Sequence, residues 1–307
     1  MNFLPRRECP VPGPDYGRRV ALVGRPNVGK STLLNRVLGR KLSIASRRPQ
    51  TTRFWVAGCK NGPDGQIVYV DTPGLQFCRH DSLNRHLRRE AIRALHDVHA
   101  AIWVVEALHW RREDEFVLGL LRDLHPPLPT LVAVNKVDQV RDKTRLLPYL
   151  ERLAGHLDRC EAVPLSARTG LQVDVLERCL ARLLPAPPVP CPVQEEESVN
   201  LPRTCAELLR EKLLHRLGAE LPYSLAVTAE EQTACGPILH LRAVVWVERE
   251  GQKRIVIGKE GTVLKEAGRQ ARCELEAMLG RQVNLKSWVR VRPGWSADPR
   301  AILQFCG

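Results

Sequence analysis

The sequence of 307 residues lacks any apolar run close to the roughly 18 residues that a membrane-spanning helix requires. Its first 14 residues contain Arg6 and Arg7 but no apolar segment of the kind that secretory signals carry. These two absences argue against a transmembrane protein and against a secreted one. We therefore expect a cytoplasmic protein.

The ten cysteines are scattered, and no two of them have the spacing C-x-x-C. The missing pairs argue against a zinc ribbon, and the scatter argues against a disulfide-stabilised scaffold. Acidic residues are also in the minority, since 34 Asp and Glu stand against 47 Lys and Arg, for a net charge of +13. Such an excess indicates a polyanionic partner, although ordinary solvated basic faces explain about half of it equally well.

The most informative stretch is residues 20–38. An apolar run at 20–23, typical of a buried strand, leads into Gly-x-x-x-x-Gly-Lys-Ser at 24–31, and a helical segment follows. In such a loop the backbone N–H groups surround phosphate oxygens, and the helix N-terminus adds its positive dipole. Lys30 would reach the β- and γ-phosphates, and the Ser31 hydroxyl would bind Mg²⁺. The predicted nucleotide contacts of this loop are Gly24, Arg25, Pro26, Asn27, Val28, Gly29, Lys30 and Ser31.

A second motif ends the strand predicted at 66–70. Asp71 closes that strand, as the carboxylate that holds Mg²⁺ does in phosphate-loop enzymes, and a glycine shortly after it can direct its N–H at the γ-phosphate. The polar segment 46–53 lies where a nucleotide-sensing loop would sit, although an ordinary solvated loop has the same composition. The predicted contacts of the second motif are Asp71, Thr72, Pro73, Gly74 and Leu75.

Residues 135–138, Asn-Lys-Val-Asp, indicate which base is bound. The carboxylate of Asp138 can accept hydrogen bonds from guanine N1–H and N2–H₂, a pair of donors that adenine lacks. Asn135 is suited either to guanine O6 and N7 or to connecting the loops, and the Ala167 N–H is placed to donate to O6. The predicted guanine contacts are Asn135, Lys136, Val137, Asp138, Ser166 and Ala167.

Apolar strands alternate with helical segments between these motifs, which predicts an α/β domain with a mostly parallel sheet. A proline-rich run at 185–192 and three glutamates then indicate a stiff connector, and a smaller α+β unit follows. The predicted division is a lead-in at 1–17, a GTP-binding domain at 18–185, a linker at 186–200, an RNA-binding KH domain at 201–296 and a tail at 297–307.

The KH assignment depends on the sequence Gly-Lys-Glu-Gly at 258–261, placed before a long helical segment. In KH domains such a G-x-x-G turn clamps the backbone of single-stranded RNA. By itself the motif is also compatible with a plain turn, and the order of strands and helices around it favours the KH interpretation. The predicted RNA contacts are Gly258, Lys259, Glu260, Gly261, Lys253, Arg254 and Lys265.

Together these motifs resemble the Era family of bacterial GTPases, within the class that also contains TrmE and EngA, over about residues 18–296. The matching segments are 24–31, 49–53, 71–75, 135–138, 210–213, 218–224, 247–253 and 288–291. The resemblance implies a monomer with a type II KH domain that binds the 3′ end of 16S ribosomal RNA and assists maturation of the small (30S) ribosomal subunit. It also implies peripheral association with the inner membrane, and potassium-activated relatives imply that Asn27 binds K⁺ near the phosphates.

The expected mechanism is a slow GTPase switch that cycles between GTP and GDP. Mg²⁺ would be held by Ser31, by Thr51 or Thr52, and by Asp71 through water, with Lys30, Asn27 and Thr52 as the catalytic residues. Leu75 occupies the position at which Ras-like enzymes orient water with Gln, so slow hydrolysis is expected. The alternative is an RNA-binding assembly factor whose nucleotide is structural and hardly turned over.

Overall fold

The N-terminal sheet has six strands in the order β2-β3-β1-β4-β5-β6, in a computed structural model of the chain. All neighbouring strands are parallel except β2 and β3. The structure describes residues 18–43, 56–62, 65–76, 82–156, 160–185, 200–217, 224–232 and 238–306. The six strands are β1 (Arg18–Val23), β2 (Val56–Gly62), β3 (Gly65–Asp71), β4 (Ala100–Glu106), β5 (Thr130–Asn135) and β6 (Ala162–Pro164).

Five helices cover the two faces of this sheet: α1 (Lys30–Leu38), α2 (Ser82–His96), α3 (Arg112–Arg122), α4 (Leu146–Ala154) and α5 (Val173–Leu183). Side chains of α1 and α5 pack on one face with β1, and side chains of α2, α3 and α4 pack on the other. All six residues of β1 are buried, because the strand lies between β3 and β4 with helices on both sides. The chain passes from β3 across β1 to β4, so a crevice opens at the carboxyl end of β1.

The C-terminal unit contains α6 (Leu201–Arg216), β7 (Ala226–Gln232), β8 (Leu239–Val247), α7 (Glu250–Ile257), α8 (Thr262–Leu279), β9 (Val283–Val291) and α9 (Pro299–Cys306). Its sheet has the order β7-β8-β9, and β8 is antiparallel to β7 but parallel to β9. Side chains of α6 and α8 pack against one face of this sheet. The predicted architecture, an α/β domain followed by a smaller α+β unit, is confirmed.

Two segments differ from the sequence-based expectation. Residues 254–257, predicted only as an apolar stretch before the G-x-x-G turn, form the last part of α7. Residues 299–306, within the predicted tail, form α9, in which Ile302 and Phe305 are buried with Trp295. The division into domains stays a prediction, and its lead-in and nearly all of its linker lie outside the described residues.

Among the described residues, side chains of the N-terminal and C-terminal units meet around Lys41 and around α9. Lys41 Nζ lies 2.5 Å from Glu211 Oε2 on α6 and 2.6 Å from Glu274 Oε1 on α8. On another side, Leu83 and Leu87 of α2 join the apolar cluster around α9. Within the described residues, no helix has the length and apolar character needed to cross a membrane.

Candidate nucleotide site and nucleic-acid interface

The predicted phosphate loop connects β1 to α1, whose first residue is Lys30. Lys30 Nζ donates to the carbonyl oxygens of Gly24 at 3.1 Å and Arg25 at 3.0 Å, which holds the buried ammonium inside the turn. Burial lowers the pKa of Lys30 to about 8, with the charge of Asp71 opposing the shift. No side chain caps the N-terminus of α1, so its first N–H groups remain available to an anion.

Gly29 joins this loop to the base-recognition segment. Its φ of 101° lies in a region that side chains disfavour, and a Cβ there would approach Asn135 Nδ2 to 2.3 Å. Only glycine therefore lets the loop lie against Asn135. Val28 is buried beside it, whereas Asn27 is exposed in a left-handed conformation.

Oxygen atoms suited to Mg²⁺ meet at the start of α1. Ser31 Oγ donates to Asp71 Oδ2 at 2.6 Å, and Ser43 Oγ donates to the same oxygen at 2.8 Å. A hydroxyl and a carboxylate are the hard ligands that Mg²⁺ prefers, so these residues fit the ion. Thr51 and Thr52, the other predicted Mg²⁺ ligands, lie outside the described residues.

Residues 72–75 pack directly on the phosphate loop. Thr72 Oγ1 donates to Leu22 O at 2.8 Å, and Leu75 N donates to Gly24 O at 3.2 Å. The Cα of Gly74 is so near Pro26 that an added Cβ would approach Pro26 Cα to 2.9 Å. The Leu75 side chain is 1% exposed and packs in the apolar core, so it presents no group to solvent.

Asn135 connects three loops of the candidate site. Its Nδ2 donates to Val28 O at 2.8 Å, and its Oδ1 accepts from Lys136 N at 2.8 Å and from Ala167 N at 2.9 Å. Of the two roles considered for Asn135, the structure thus shows the connecting one. The Ala167 N–H, predicted to donate to guanine O6, donates here to Asn135, and the O6 contact stays a prediction.

The Asp138 carboxylate, the predicted guanine acceptor, accepts two hydrogen bonds from side chains of the loop that follows β6. Ser166 Oγ donates to Oδ1 at 2.7 Å, and the exposed Arg168 guanidinium donates to Oδ2 at 2.6 Å. Partial burial would raise the pKa of Asp138, but the Ser166 hydrogen bond and the Arg168 charge outweigh it and lower the pKa. The carboxylate is therefore ionised and oriented to accept N–H donors.

Sequence reasoning missed a partly buried ion-pair group, which we call the Glu106 group: Arg25, Glu106, Asp114 and Lys136. The Arg25 guanidinium donates to Glu106 Oε2 at 2.7 Å and to Asp114 Oδ2 at 3.0 Å, and Lys136 Nζ lies 3.1 Å from Glu106 Oε2. The Arg25 side chain points into this group, and the predicted nucleotide contact of Arg25 stays a prediction. The only sequence signal was an acidic residue ending the apolar strand β4.

The predicted RNA clamp is the turn between α7 and α8. Gly258 has a φ of 76°, and a Cβ there would approach Val263 Cγ2 to 2.5 Å, so the close turn requires glycine. Among the predicted RNA contacts, Arg254, Lys259, Glu260 and Lys265 are exposed. Lys253 is half-buried and lies 3.7 Å from Glu250.

Ile255 is a further residue of this surface that sequence reasoning missed. It belongs to α7, three residues before Gly258, yet 54% of it is exposed. An exposed apolar side chain beside a clamp for the backbone is suited to contact an unpaired base. The apolar stretch 254–257 contained this signal, but only the helix shows which of its residues face solvent.

The fold and the two sites define a phosphate-loop GTPase joined to a KH domain. Residues 19–136 match a family model described as 50S ribosome-binding GTPase, and residues 220–296 match a KH domain model. The chain is 47% identical over 283 residues to GTPase Era of Pseudomonas aeruginosa, covering 92% of each protein. It is 43% identical over 292 residues to GTPase Era of Coxiella burnetii, covering 95% of this chain and 98% of that one. The chain belongs to the GTPase Era family.

Two solved structures of Era have the same fold. A variant of Aquifex aeolicus Era bound to GDP·AlF₄⁻ superimposes with a TM-score of 0.86 at 35% identity, covering 95% of this chain and 98% of that one. Era in complex with MgGDPNP and nucleotides 1506–1542 of 16S ribosomal RNA superimposes with a TM-score of 0.87 at 36% identity, covering 94% and 97%.

Proposed function

We propose that this chain binds GTP with Mg²⁺, hydrolyses it slowly to GDP and phosphate, and uses the nucleotide state to control binding to the 3′ end of 16S ribosomal RNA. In this way it would assist maturation of the 30S subunit. The observation that carries the proposal is a short connection between the nucleotide site and the C-terminal unit. Asp71 contacts Ser43, and Lys41, two residues earlier, pairs with Glu211 and Glu274 of the C-terminal unit.

The side chain of Asn35 makes this connection rigid. Its Oδ1 accepts from Leu42 N at 2.8 Å and Ser43 N at 2.9 Å, and its Nδ2 donates to Ser43 O at 2.7 Å. Because Asn35 belongs to α1, the segment 41–43 moves with the helix that starts at Lys30. We propose that a change at Asp71 is transmitted to Lys41 through residues 41–43, and that this segment couples the nucleotide site to the C-terminal unit.

The nucleotide part of the proposal is supported by the relatives and by local geometry. Solved Era structures contain GDP·AlF₄⁻ and MgGDPNP. Here Lys30 would hold the phosphates, Asp138 would accept from guanine, and Ser31, Asp71 and one of the threonines Thr51 and Thr52 would hold Mg²⁺. The ion would neutralise charge on the β- and γ-phosphates.

Slow hydrolysis follows from Leu75. The residue is buried and apolar, so it cannot orient a water molecule for attack. We propose that K⁺, bound by the exposed Asn27, supplies part of the missing charge stabilisation. Full retention of K⁺ stimulation by Asn27→Ala would contradict this role.

The RNA partner is supported by the KH domain and by the relative that was solved with 16S ribosomal RNA. The description of the matching GTPase model names the 50S particle, but that model covers only residues 19–136. We therefore base the choice of RNA on the relatives that match along most of the chain and on the solved structure that includes the KH domain. We place the 3′ end of the RNA at the G-x-x-G turn, with Lys259 and its neighbours at the phosphates.

RNA affinity measured with GTP, with GDP and without nucleotide tests the coupled switch. The probes are a strand with the 3′-terminal sequence of 16S ribosomal RNA and a scrambled strand of equal length. We expect about 5- to 150-fold tighter binding in one nucleotide state, the usual range for coupled sites. Equal affinity in all states and for both strands would refute the proposal.

Single-turnover hydrolysis separates the switch from an assembly factor with a structural nucleotide. The switch predicts measurable conversion of GTP that responds to RNA, whereas a structural nucleotide predicts none.

The remaining elements of the proposal are a cytoplasmic monomer and peripheral contact with the inner membrane. Light scattering and co-flotation with vesicles of inner-membrane lipids test them.

A further inference from the structure

The solvent face of the C-terminal sheet carries a surface that neither the nucleotide site nor the G-x-x-G turn uses. Along β8 the odd-numbered residues point into the core, and Arg242, Val244 and Trp246 point outward. On β9 the outward residues are Lys286, Trp288 and Arg290, which pair in register with those of β8. We call Arg242, Lys286, Trp288 and Arg290 the Trp288 face.

Trp288 is open to solvent at the centre of this face. It is 44% exposed, and the Arg242 guanidinium lies 5.9 Å from the centroid of its ring. Trp246 on the same face is covered, since its ring stacks on Phe305 at 4.7 Å and its Nε1 donates to Thr228 Oγ1 at 3.0 Å. The helix α9 thus closes one end of the sheet and leaves the Trp288 end uncovered.

The three cations of the Trp288 face are exposed and form no ion pair within the part of the chain that the structure describes. The carboxylate of this face in the described residues is Glu230 of β7, in register with Arg242, and no ion pair joins them. On α8, by contrast, two cations are neutralised: the exposed Arg269 lies 2.8 Å from Glu266, and the half-buried Arg272 lies 3.2 Å from Glu276. The Trp288 face therefore keeps its positive charge for a partner.

Protection of an edge strand does not explain this arrangement. Charged residues on β9 would by themselves discourage pairing with other chains, as edge strands require. An exposed tryptophan acts in the opposite direction, because large apolar side chains on a surface favour association. The combination is what single-stranded nucleic acids need, since unpaired bases stack on aromatic rings while cations hold the phosphates.

We propose that the Trp288 face is a second contact surface for single-stranded RNA, on which a base stacks on Trp288 while Arg242, Lys286 and Arg290 bind phosphates. This inference rests on the proposed RNA-binding function and extends it beyond the G-x-x-G turn. Both surfaces involve the edge strand β9, which packs through its core side against α7, the helix that ends before Gly258. In this proposal one strand occupies the turn and continues around β9 onto the sheet. An RNA duplex fits less well, because its bases are not free to stack.

The test compares a strand of four nucleotides, which spans the G-x-x-G clamp alone, with a strand of twelve. Trp288→Ala is expected to weaken binding of the long strand about tenfold, the loss of one stacked base, and to leave the short strand within twofold. Trp288→Phe, which keeps an aromatic ring, should restore most of the affinity. Thermal unfolding of each variant verifies that the fold is retained.

A charge-matched pair tests the phosphate contacts. Arg290→Gln should reduce the slope of log affinity against log salt by about 0.7 for the long strand. Arg300→Gln, an equal change of charge at an exposed position of α9, should leave the slope unchanged.

Three results would overturn the inference. The first is equal loss of short and long strands in Trp288→Ala, which would mean that the residue acts through the clamp. The second is unchanged RNA binding in every variant of the face. The third is that variants of the face lose binding to an acidic peptide or to anionic vesicles that the unmodified chain binds, while their RNA binding is intact. That result would assign the face to another partner. Absence of RNA binding in the unmodified chain would instead refute the proposed function itself.

Discussion

Replacing Glu106 by Gln should weaken binding of GTP and GDP alike, although Glu106 belongs to none of the sequence motifs. Its carboxylate accepts from Arg25 of the phosphate loop at 2.7 Å and from Lys136 of the guanine-recognition segment at 3.1 Å. These contacts hold the two loops at a fixed separation. An amide at this position keeps the shape but loses the charge that attracts both cations.

The expected magnitude follows from the contacts that are weakened. A hydrogen bond to a charged group contributes about 1.5–3 kcal/mol, and Arg25 is left buried with Asp114 as its remaining carboxylate. If the loss appears in nucleotide affinity, it corresponds to roughly 10- to 150-fold weaker binding. Burial would raise the pKa of Glu106, but Arg25 and Lys136 outweigh it and lower the pKa. Its contribution is thus present above the ordinary glutamate pKa and is lost as pH falls through the lowered value.

Equilibrium titration with a fluorescent GDP analogue measures the effect, and urea unfolding measures the stability of each variant. Glu113→Gln is the matched control, because it makes the same change beside Asp114 on α3. A double-mutant cycle with Lys136→Met isolates the coupling between the two loops. Equal affinities for the two Gln variants, together with a coupling energy near zero, would refute the reasoning.

Other predictions concern the phosphate, base and inter-unit contacts. Burial lowers the pKa of Lys30 to about 8, and bound phosphates favour its charged form. GTP binding should therefore be accompanied by uptake of a proton above pH 8 but not at pH 7. The affinity for GTP should fall by up to tenfold per pH unit above pH 8. Calorimetry in buffers of different ionisation enthalpy measures this uptake, and equal uptake at pH 7 and 8.5 would contradict it. Asp138→Asn should weaken GTP binding at least 100-fold and favour xanthosine nucleotides, because O2 of xanthine accepts from the new amide. Competition binding with guanosine and xanthosine nucleotides measures this change in preference. An unchanged preference for guanine would exclude the proposed role of Asp138. Lys41→Met should leave GDP affinity within twofold but abolish the dependence of RNA affinity on nucleotide. Lys60→Met is its control, because Lys60 is equally exposed at 38% and pairs at 2.5 Å with Glu177 inside the N-terminal unit. RNA-binding anisotropy with GTP and GDP measures the difference, and a coupling that survives in Lys41→Met would refute the path through Lys41.

Most of the fold could be predicted because its elements are local. The long helical segment predicted after the G-x-x-G turn is found as α8 (Thr262–Leu279), and β9 (Val283–Val291) follows it. Both have long periodic patterns with glycine or turn residues at their ends. The short helix α7 was harder to predict, because a run of apolar residues such as 254–257 is compatible with either a strand or a helix.

The sequence by itself determined the phosphate loop, the guanine-recognition motif and the G-x-x-G turn. In each, the chemistry depends on backbone groups and side chains a few residues apart, at the end of a strand or the start of a helix. Because these groups are only a few residues apart, their positions along the chain fix their relative positions in the structure. The family resemblance follows from the same short segments.

Tertiary structure alone decided which side chains beyond these motifs take part. Arg25 and Glu106 are 81 positions apart, and Lys41 and Glu211 are 170 apart, so no local pattern could pair them. The difference between the covered Trp246 and the open Trp288 likewise depends on where α9 lies. Burial and long-range contact are properties of the packed chain, and they direct the Arg25 side chain to Glu106 and Asp114 while leaving Trp288 exposed.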